Sequence, residues 1–282
     1  NNYQLTSPTY VQVKFIGTTA IHGLFMKPDG TKLYYQQFTG GLNEWDLSTP
    51  YDVSTATYNN VTNTSAFSSY SNFGRDAYFS PNGDYYYSTD NGAKVVRRFT
   101  LSTPWDITTL GSQSGASINT TSSGLTGALN GIEFKPDGTK MYVCDASELG
   151  QWNLSTAWNA GTGTNGSIPD TKITFSNLTG SSQAIRFQSD GSKFFVLDSN
   201  ADVLIYTMTT AWDISTASYT SKFSNSQSIT TARAMALSSD GNKMYIVDEA
   251  SSARTYEYNI CLLYTSDAAD DSLRVDLGGR RI

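Results

Sequence analysis

The sequence predicts an all-β fold, a β-propeller of four-stranded antiparallel blades, on three observations. A tight-turn motif recurs five times at near-constant spacing, alternating apolar strands flank every copy, and a second loop motif follows the third strand of each of the first four units. The turn reads KPDG at 27–30 and returns as SPNG ending at Gly83, KPDG at Gly138, QSDG at Gly191 and SSDG at Gly241. The successive glycines lie 53, 55, 53 and 50 residues apart. A period of this size marks stacked supersecondary units, because one unit alone cannot bury its apolar face.

The first strand of each unit precedes the turn. One apolar column is Leu24, Ala77, Ile132, Ile185 and Met235, and the next, two residues on, is Met26, Phe79, Phe134, Phe187 and Leu237. That alternation is the signature of a half-buried strand. The second strand follows the turn, as in Leu33-Tyr34-Tyr35 and Met141-Tyr142-Val143. Between them Asp or Asn and Gly supply the positive φ values that a hairpin needs. The third strand carries an aromatic two residues before an apolar position, at Trp45/Leu47, Phe99/Leu101, Trp152/Leu154, Tyr206/Met208 and Tyr258/Ile260. It leads into the second motif, LSTPYDVST at 47–55, LSTPWDITT at 101–109, LSTAWN at 154–159 and MTTAWDIST at 208–216. Its Ser, Thr and Asp side chains can bond nearby backbone groups and hold a fixed loop. A fourth strand, such as Lys172–Phe175, returns to the next unit.

Four strands in each unit of about 50 residues is the recipe for a propeller blade. A right-handed β-solenoid is the runner-up, and it would predict shorter rungs. The chain opens with what reads as a fourth strand, Val11–Ile16, while the repeats end on a third, Ala253–Ile260. Two readings stand: five blades closed by the N-terminal strand, which removes the open edge, or five units of a ring of six or more.

The units resemble the propeller repeats of the YVTN and TolB type, whose turn reads SPDG before a Leu-Tyr-Val strand. The LSTPWDIST loop resembles a repeat common in secreted or phage-encoded proteins from environmental sequence. The resemblance spans about Val11 to Ile260 and implies the propeller fold. It implies little about function, since propellers host many unrelated activities. After Ile260 the pattern stops, and CLLYTSDAADDSLRVDLGGRRI resembles the translation of a sequencing-library adapter and its primer. The expected division is therefore a propeller over 1–260 and a non-native, disordered tail over 261–282. The chain also opens at Asn1 without Met, as one whose true start lies upstream would.

Charged residues make up 16% of the chain and aromatics 13%, so the polar surface must come from Ser, Thr, Asn and Gly. That composition is expected of an extracellular, cell-surface or virion protein. A net charge of -6 and a pI near 4.7 make nucleic acid a poor partner, since phosphate binding leans on Lys and Arg. No apolar run reaches the ~18 residues of a membrane span. Six Asn-x-Ser/Thr triplets are what such a composition generates by chance. Cys144 reads as a small buried hydrophobe, because the nucleophilic alternative wants an activating base and the chain has one His, His22. No G-x-S-x-G, H-E-x-x-H, P-loop or sialidase-type Asp box is present.

With the first strand innermost, two polar columns meet on one ring face. One, just before the first strands, is His22, Arg75, Asn130, Gln183 and Arg233. The other, seven residues after each turn glycine, is Gln37, Asp90, Asp145, Asp198 and Asp248. These nine His, Arg, Asn, Gln and Asp side chains, Gln37 aside, are the candidate ligand-binding residues. The Asp column reads either as a device that accepts backbone N–H bonds in the following turn or as a ligand or metal set. No cofactor is demanded, and Ca²⁺ is the one the Asp column admits. Arg75 and Arg233 could grip a carboxylate or an acidic sugar. Tyr51, Trp105, Trp158 and Trp212 belong to the opposite face, for packing between blades or for stacking on sugar. The irregular stretch 111–130 is a further place for recognition. The expected function is a non-enzymatic binding or structural propeller that recognises a glycan or protein partner on one ring face. The alternative is a Ca²⁺-dependent hydrolase of the propeller lactonase kind.

Overall fold

All five turn glycines take positive φ, between 71° and 79°, a conformation open to glycine without steric cost. Each closes the hairpin that starts a blade. The structure, a computed structural model, describes residues 8–17, 20–38, 41–67, 73–115, 117–121, 124–125, 127–250 and 252–260. The adapter-like tail, 261–282, lies outside the described residues.

The first strand, β1 (Thr9–Gly17), is considered with the last blade. Blade 1 comprises β2 (Ile21–Met26), β3 (Lys32–Gln37), β4 (Gly41–Leu47) and β5 (Ala56–Asn63). Blade 2 has β6 (Phe73–Phe79), β7 (Tyr85–Asp90) and β8 (Val95–Leu101), with its outer edge split between β9 (Leu110–Gln113) and β10 (Ile118–Asn119). This split lies in the irregular 111–130 stretch. Blade 3 is β11 (Gly131–Phe134), β12 (Lys140–Cys144), β13 (Glu148–Asn153) and β14 (Thr171–Thr174). Blade 4 is β15 (Ser182–Phe187), β16 (Lys193–Asp198), β17 (Val203–Met208) and β18 (Ala217–Phe223). Blade 5 contributes β19 (Ala232–Leu237), β20 (Lys243–Asp248) and β21 (Ala253–Asn259), and β1 pairs antiparallel with β21 to complete it. The five-blade reading holds: the inner strands β2, β6, β11, β15 and β19 each pack on the next, and β19 packs on β2.

The apolar columns fill the seams between blades. At the first seam Tyr34 and Leu42 of blade 1 pack with Ala77, Phe79, Tyr86 and Phe99 of blade 2. A five-membered ring brings the inner strands close. A Cβ on Gly23 would lie 2.8 Å from the Ala77 nitrogen, and one on Gly131 would lie 2.9 Å from the Ile185 nitrogen.

The LSTPWDIST loop is a capped 3₁₀ turn. Asp52, Asp106, Asn159 and Asp213 accept from the backbone N–H of Ser54, Thr108, Gly161 and Ser215, which satisfies donors at the start of the turn. The aromatic before each cap has φ of 61° to 66° and covers the turn glycine of its own blade. Its carbonyl receives a tyrosine hydroxyl from the preceding blade: Tyr34 to Trp105 at 2.9 Å, Tyr87 to Trp158, Tyr142 to Trp212 at 2.7 Å and Tyr245 to Tyr51 at 2.7 Å. These four aromatics brace their loops and the seams. Cys144 is fully buried in blade 3 beside the Ser182 hydroxyl, and burial pushes its thiol up to about 12, as a small core residue.

Candidate functional site

β-Bulges set the polar mouth of the channel. In blade 1, Ile21 faces Gln37 while Gly23 faces Gln36, so His22 is an extra residue in the ladder. Gln183 and Arg233 occupy the same position in blades 4 and 5, and a longer irregularity between Phe73 and Ala77 contains Arg75. A bulge re-aims the side chain of the inserted residue. Without it, strict alternation would turn His22 to the same face as Leu24.

Two of the five mouth residues, His22 and Arg233, converge on one acid, Glu249. His22 Nε2 lies 2.8 Å from Glu249 Oε1, and Arg233 Nε pairs with Oε2. Arg233 Nη1 also donates to Gln183 Oε1 at 3.1 Å. Because the carboxylate can only accept, the neutral imidazole carries its proton on Nε2, and its buried Nδ1 has no partner. Burial lowers the His22 pKa, and the hydrogen bond and charge of Glu249 offset this only in part. Burial alone would raise Glu249, but the bonds from His22 and Arg233 win and hold it at about 2.

Arg75 stands beside this network. Its guanidinium lies 5.2 Å from the centroid of Phe38, whose other neighbour is the stacked His22 ring at 4.6 Å. Among the described residues no carboxylate forms an ion pair with Arg75, and its buried Nε has no hydrogen-bond partner. Burial, and then the nearby Arg233 charge, lowers its pKa. Asn130 is apart from the cluster, donating from Nδ2 to the Ser182 carbonyl at 2.6 Å.

The Asp column is turned to backbone donors. Asp145 accepts from the N–H groups of Gly127, Ser147 and Glu148 at 2.8 to 2.9 Å. Asp198 accepts from Asn200 and Asp202 on one oxygen and from Thr179 on the other. Asp248 takes Thr231 and Ala250, and Asp90 takes Ala93 together with the Arg97 guanidinium. Each carboxylate thus fixes its own turn, and in blades 3, 4 and 5 it also ties down the incoming linker. Among the described residues no three His, Cys, Asp or Glu side chains gather as a metal-ligand set.

Sequence columns missed two features. The position after the Asp column reads Phe38, Asn91, Ala146, Ser199 and Glu249, so one further register would have exposed both the platform and the hub. The second feature is in the channel itself. The inner-strand positions on either side of the first apolar column are Gly23, Asp76, Gly131, Ala184 and Ala234, then Phe25, Tyr78, Glu133, Arg186 and Ala236. Three of these ten are charged, and they meet. Arg186 crosses from blade 4 to Asp76 of blade 2, with Nη1–Oδ2 and Nη2–Oδ1 both 2.8 Å. It also donates to the carbonyls of Leu24 and Ile185. Asp76 further accepts from the N–H groups of Ala77 and Ile132. Glu133 Oε2 sits 3.7 Å from Arg186 Nη1 and accepts no hydrogen bond. Burial pushes Glu133 up to about 8 against the pull of Arg186.

The fold and site define a five-bladed β-propeller with a polar mouth at one end of its channel and an ion pair across the middle. No protein-family model matches the chain, and no curated protein does either. Among solved structures it is similar to a "putative 6-phosphogluconolactonase" from Bacteroides uniformis, at 12% identity and TM-score 0.48, covering 83% of this chain and 66% of that one. A protein described in the same words from Bacteroides fragilis shows 14% identity and TM-score 0.48, covering 85% of this chain and 71% of that one. A chain of the mitotic checkpoint complex shows 12% identity and TM-score 0.45, covering 82% and 59%.

Proposed function

We propose that the protein is a non-enzymatic binding propeller that works outside the cytoplasm, in secreted form, on a cell surface or on a virion, and that its polar mouth recognises an acidic glycan. The observation that carries this reading is Arg75. Its neighbours Arg233 and His22 are engaged by Glu249, whereas Arg75 lies over the Phe38 ring and, among the described residues, has no carboxylate of its own. A guanidinium in that position matches a uronate or sialate carboxylate, which it can take in a two-armed hydrogen bond. The Phe38 platform keeps Arg75 ordered before the ligand arrives, which lowers the entropic cost of binding. The composition supports the location: low charge, with a surface of Ser, Thr, Asn and Gly. The resemblance to YVTN and TolB-type repeats supports the fold and leaves the ligand to the site.

The test is a glycan array probed with the wild-type protein and with Arg75→Ala, both checked by thermal melting for an intact fold. Retention on sialylated or uronate-bearing glycans, lost in Arg75→Ala, is expected. Equal retention of both proteins, or no preference for acidic over neutral glycans, would overturn the reading.

A further inference from the structure

The other end of the channel is a separate site. Beyond the Arg186–Asp76 bridge lies a funnel of about 240 Å³, with Arg186 and Glu133 at its base and Phe25, Tyr78, Phe187 and Leu237 in its walls. Pro28, Pro81 and Pro136, from the first three blade turns, rim the opening. The volume exceeds the ~150 Å³ that accommodates benzene in an engineered cavity and falls short of the ~300 Å³ at which drug-sized pockets begin. One ring, or a short branched chain with a polar end, fits that range.

The polar groups at the base are unequally satisfied. Arg186 is spent on Asp76 and on backbone carbonyls, and Asp76 is closed by two guanidinium bonds and two amides. Glu133 is the remainder. Two acids face one guanidinium here, and the second acid is given no hydrogen bond on its inner oxygen. Its side chain is 14% exposed in a funnel whose walls are otherwise mainly apolar. Before a ligand enters, burial keeps a proton on Glu133, and an anionic ligand would only oppose its ionisation. A wholly apolar one would leave a buried carboxyl unpaired, which is costly. A cation favours loss of that proton and pairs with the carboxylate it leaves, and the neighbouring aromatic rings add attraction through their negative faces.

We propose that this funnel binds a small organic cation, a protonated amine carried on a single-ring or short branched apolar body, with Glu133 as its counter-ion. The ring packs among Phe25, Tyr78 and Phe187, and the ammonium group donates to the Glu133 carboxylate. Nothing in this assignment draws on the polar mouth at the opposite end, so either site can fail without the other.

The experiment uses phenethylamine as the probe, with 2-phenylethanol and phenylacetate as neutral and anionic counterparts of the same shape, measured by titration calorimetry on the full chain. Phenethylamine is expected to bind about tenfold or more tightly than 2-phenylethanol, the range of a hydrogen bond to a charged group, and phenylacetate more weakly than either. Glu133→Gln, which keeps the shape, should remove that advantage while leaving 2-phenylethanol within about twofold. Ala236→Phe, which narrows the funnel from blade 5 and leaves the Glu133 side chain unaltered, should weaken the amine and the alcohol alike. The proposal is overturned if the amine binds no better than the alcohol, if Glu133→Gln keeps the amine affinity, or if Ala236→Phe binds as the wild type does.

Discussion

Arg186 of blade 4 and Asp76 of blade 2 join non-adjacent blades across the axis of the ring, through two N···O contacts of 2.8 Å each. The bridge works as an internal brace, since Arg186 also bonds the Leu24 carbonyl of blade 1. Removing one partner strands the other at a site where the two side chains are 7% and 1% exposed. Arg186→Met should therefore lose about 3–5 kcal/mol in urea unfolding, and pairing it with Asp76→Asn should recover part of the loss, because the amide removes the stranded charge while its one oxygen still accepts from either Ile132 or Ala77. A single-variant loss below about 1 kcal/mol would show that the brace is dispensable.

The tyrosine bonds at the seams should each contribute modestly. Tyr142→Phe removes the hydroxyl that Trp212 receives at 2.7 Å but keeps the ring, and is expected to cost about 1 kcal/mol. Gly30→Ala should cost more, about 2 kcal/mol, because it combines a φ of +74° with a Cβ only 2.7 Å from the Tyr51 ring. Urea midpoints at unchanged slope measure both, and the reverse ranking would mean that the loop aromatics yield easily.

Glu133 and Glu249 should tilt the pH dependence of stability in opposite directions. The folded protein holds Glu133 at about 8 against an ordinary 4.5, so it binds a proton that the unfolded chain has released. The contribution of Glu133 is complete below pH 4.5 and is lost as pH rises towards 8. Glu249, held at about 2, contributes fully above 4.5 and loses that contribution as pH falls towards 2. The stability difference between wild type and Glu133→Gln should shrink or reverse sign on the alkaline side, and that between wild type and Glu249→Gln on the acid side. Parallel profiles for wild type and either variant would remove that residue as the cause.

Millimolar Ca²⁺ followed by chelator should leave the melting temperature unchanged. Asp145, Asp198 and Asp248 already accept two or three backbone N–H bonds apiece, and Asp90 is engaged by Arg97. A cation would have to displace these bonds before it could be held. A reproducible rise with Ca²⁺ would restore the ring of acids as a metal site.

The architecture was legible because it repeats. Turn glycines, apolar alternation and the capped loop each appear in several copies, so one unit interprets the next. The strand read at Val11–Ile16 emerged as Thr9–Gly17, paired with β21 as a fifth-blade strand should be. The site was legible only in part, because sites are made where the repeat breaks. His22 and Arg233 stood out in a polar column, but Glu249 lies one position beyond the column of acids that drew attention. Asp76, Glu133 and Arg186 were hidden among glycine, alanine and aromatic equivalents, and no sequence period brings residues 76 and 186 together. The bulges that re-aim His22, Gln183 and Arg233 leave no mark in alternation either.

Gln12 on β1 bonds Glu257 of β21 at 2.9 Å and Asp52 of the first blade's loop at 2.6 Å, so the clasp of the ring engages positions 245 residues apart. Such a clasp acts as a checksum. The register between β1 and β21 is correct only when every intervening blade has been laid down at its proper angle, and a fault in any of them displaces the last partner from the first. Closure therefore proofreads the circle as a whole, and the cost is speed, because the most distant contacts in a chain are the slowest to find each other.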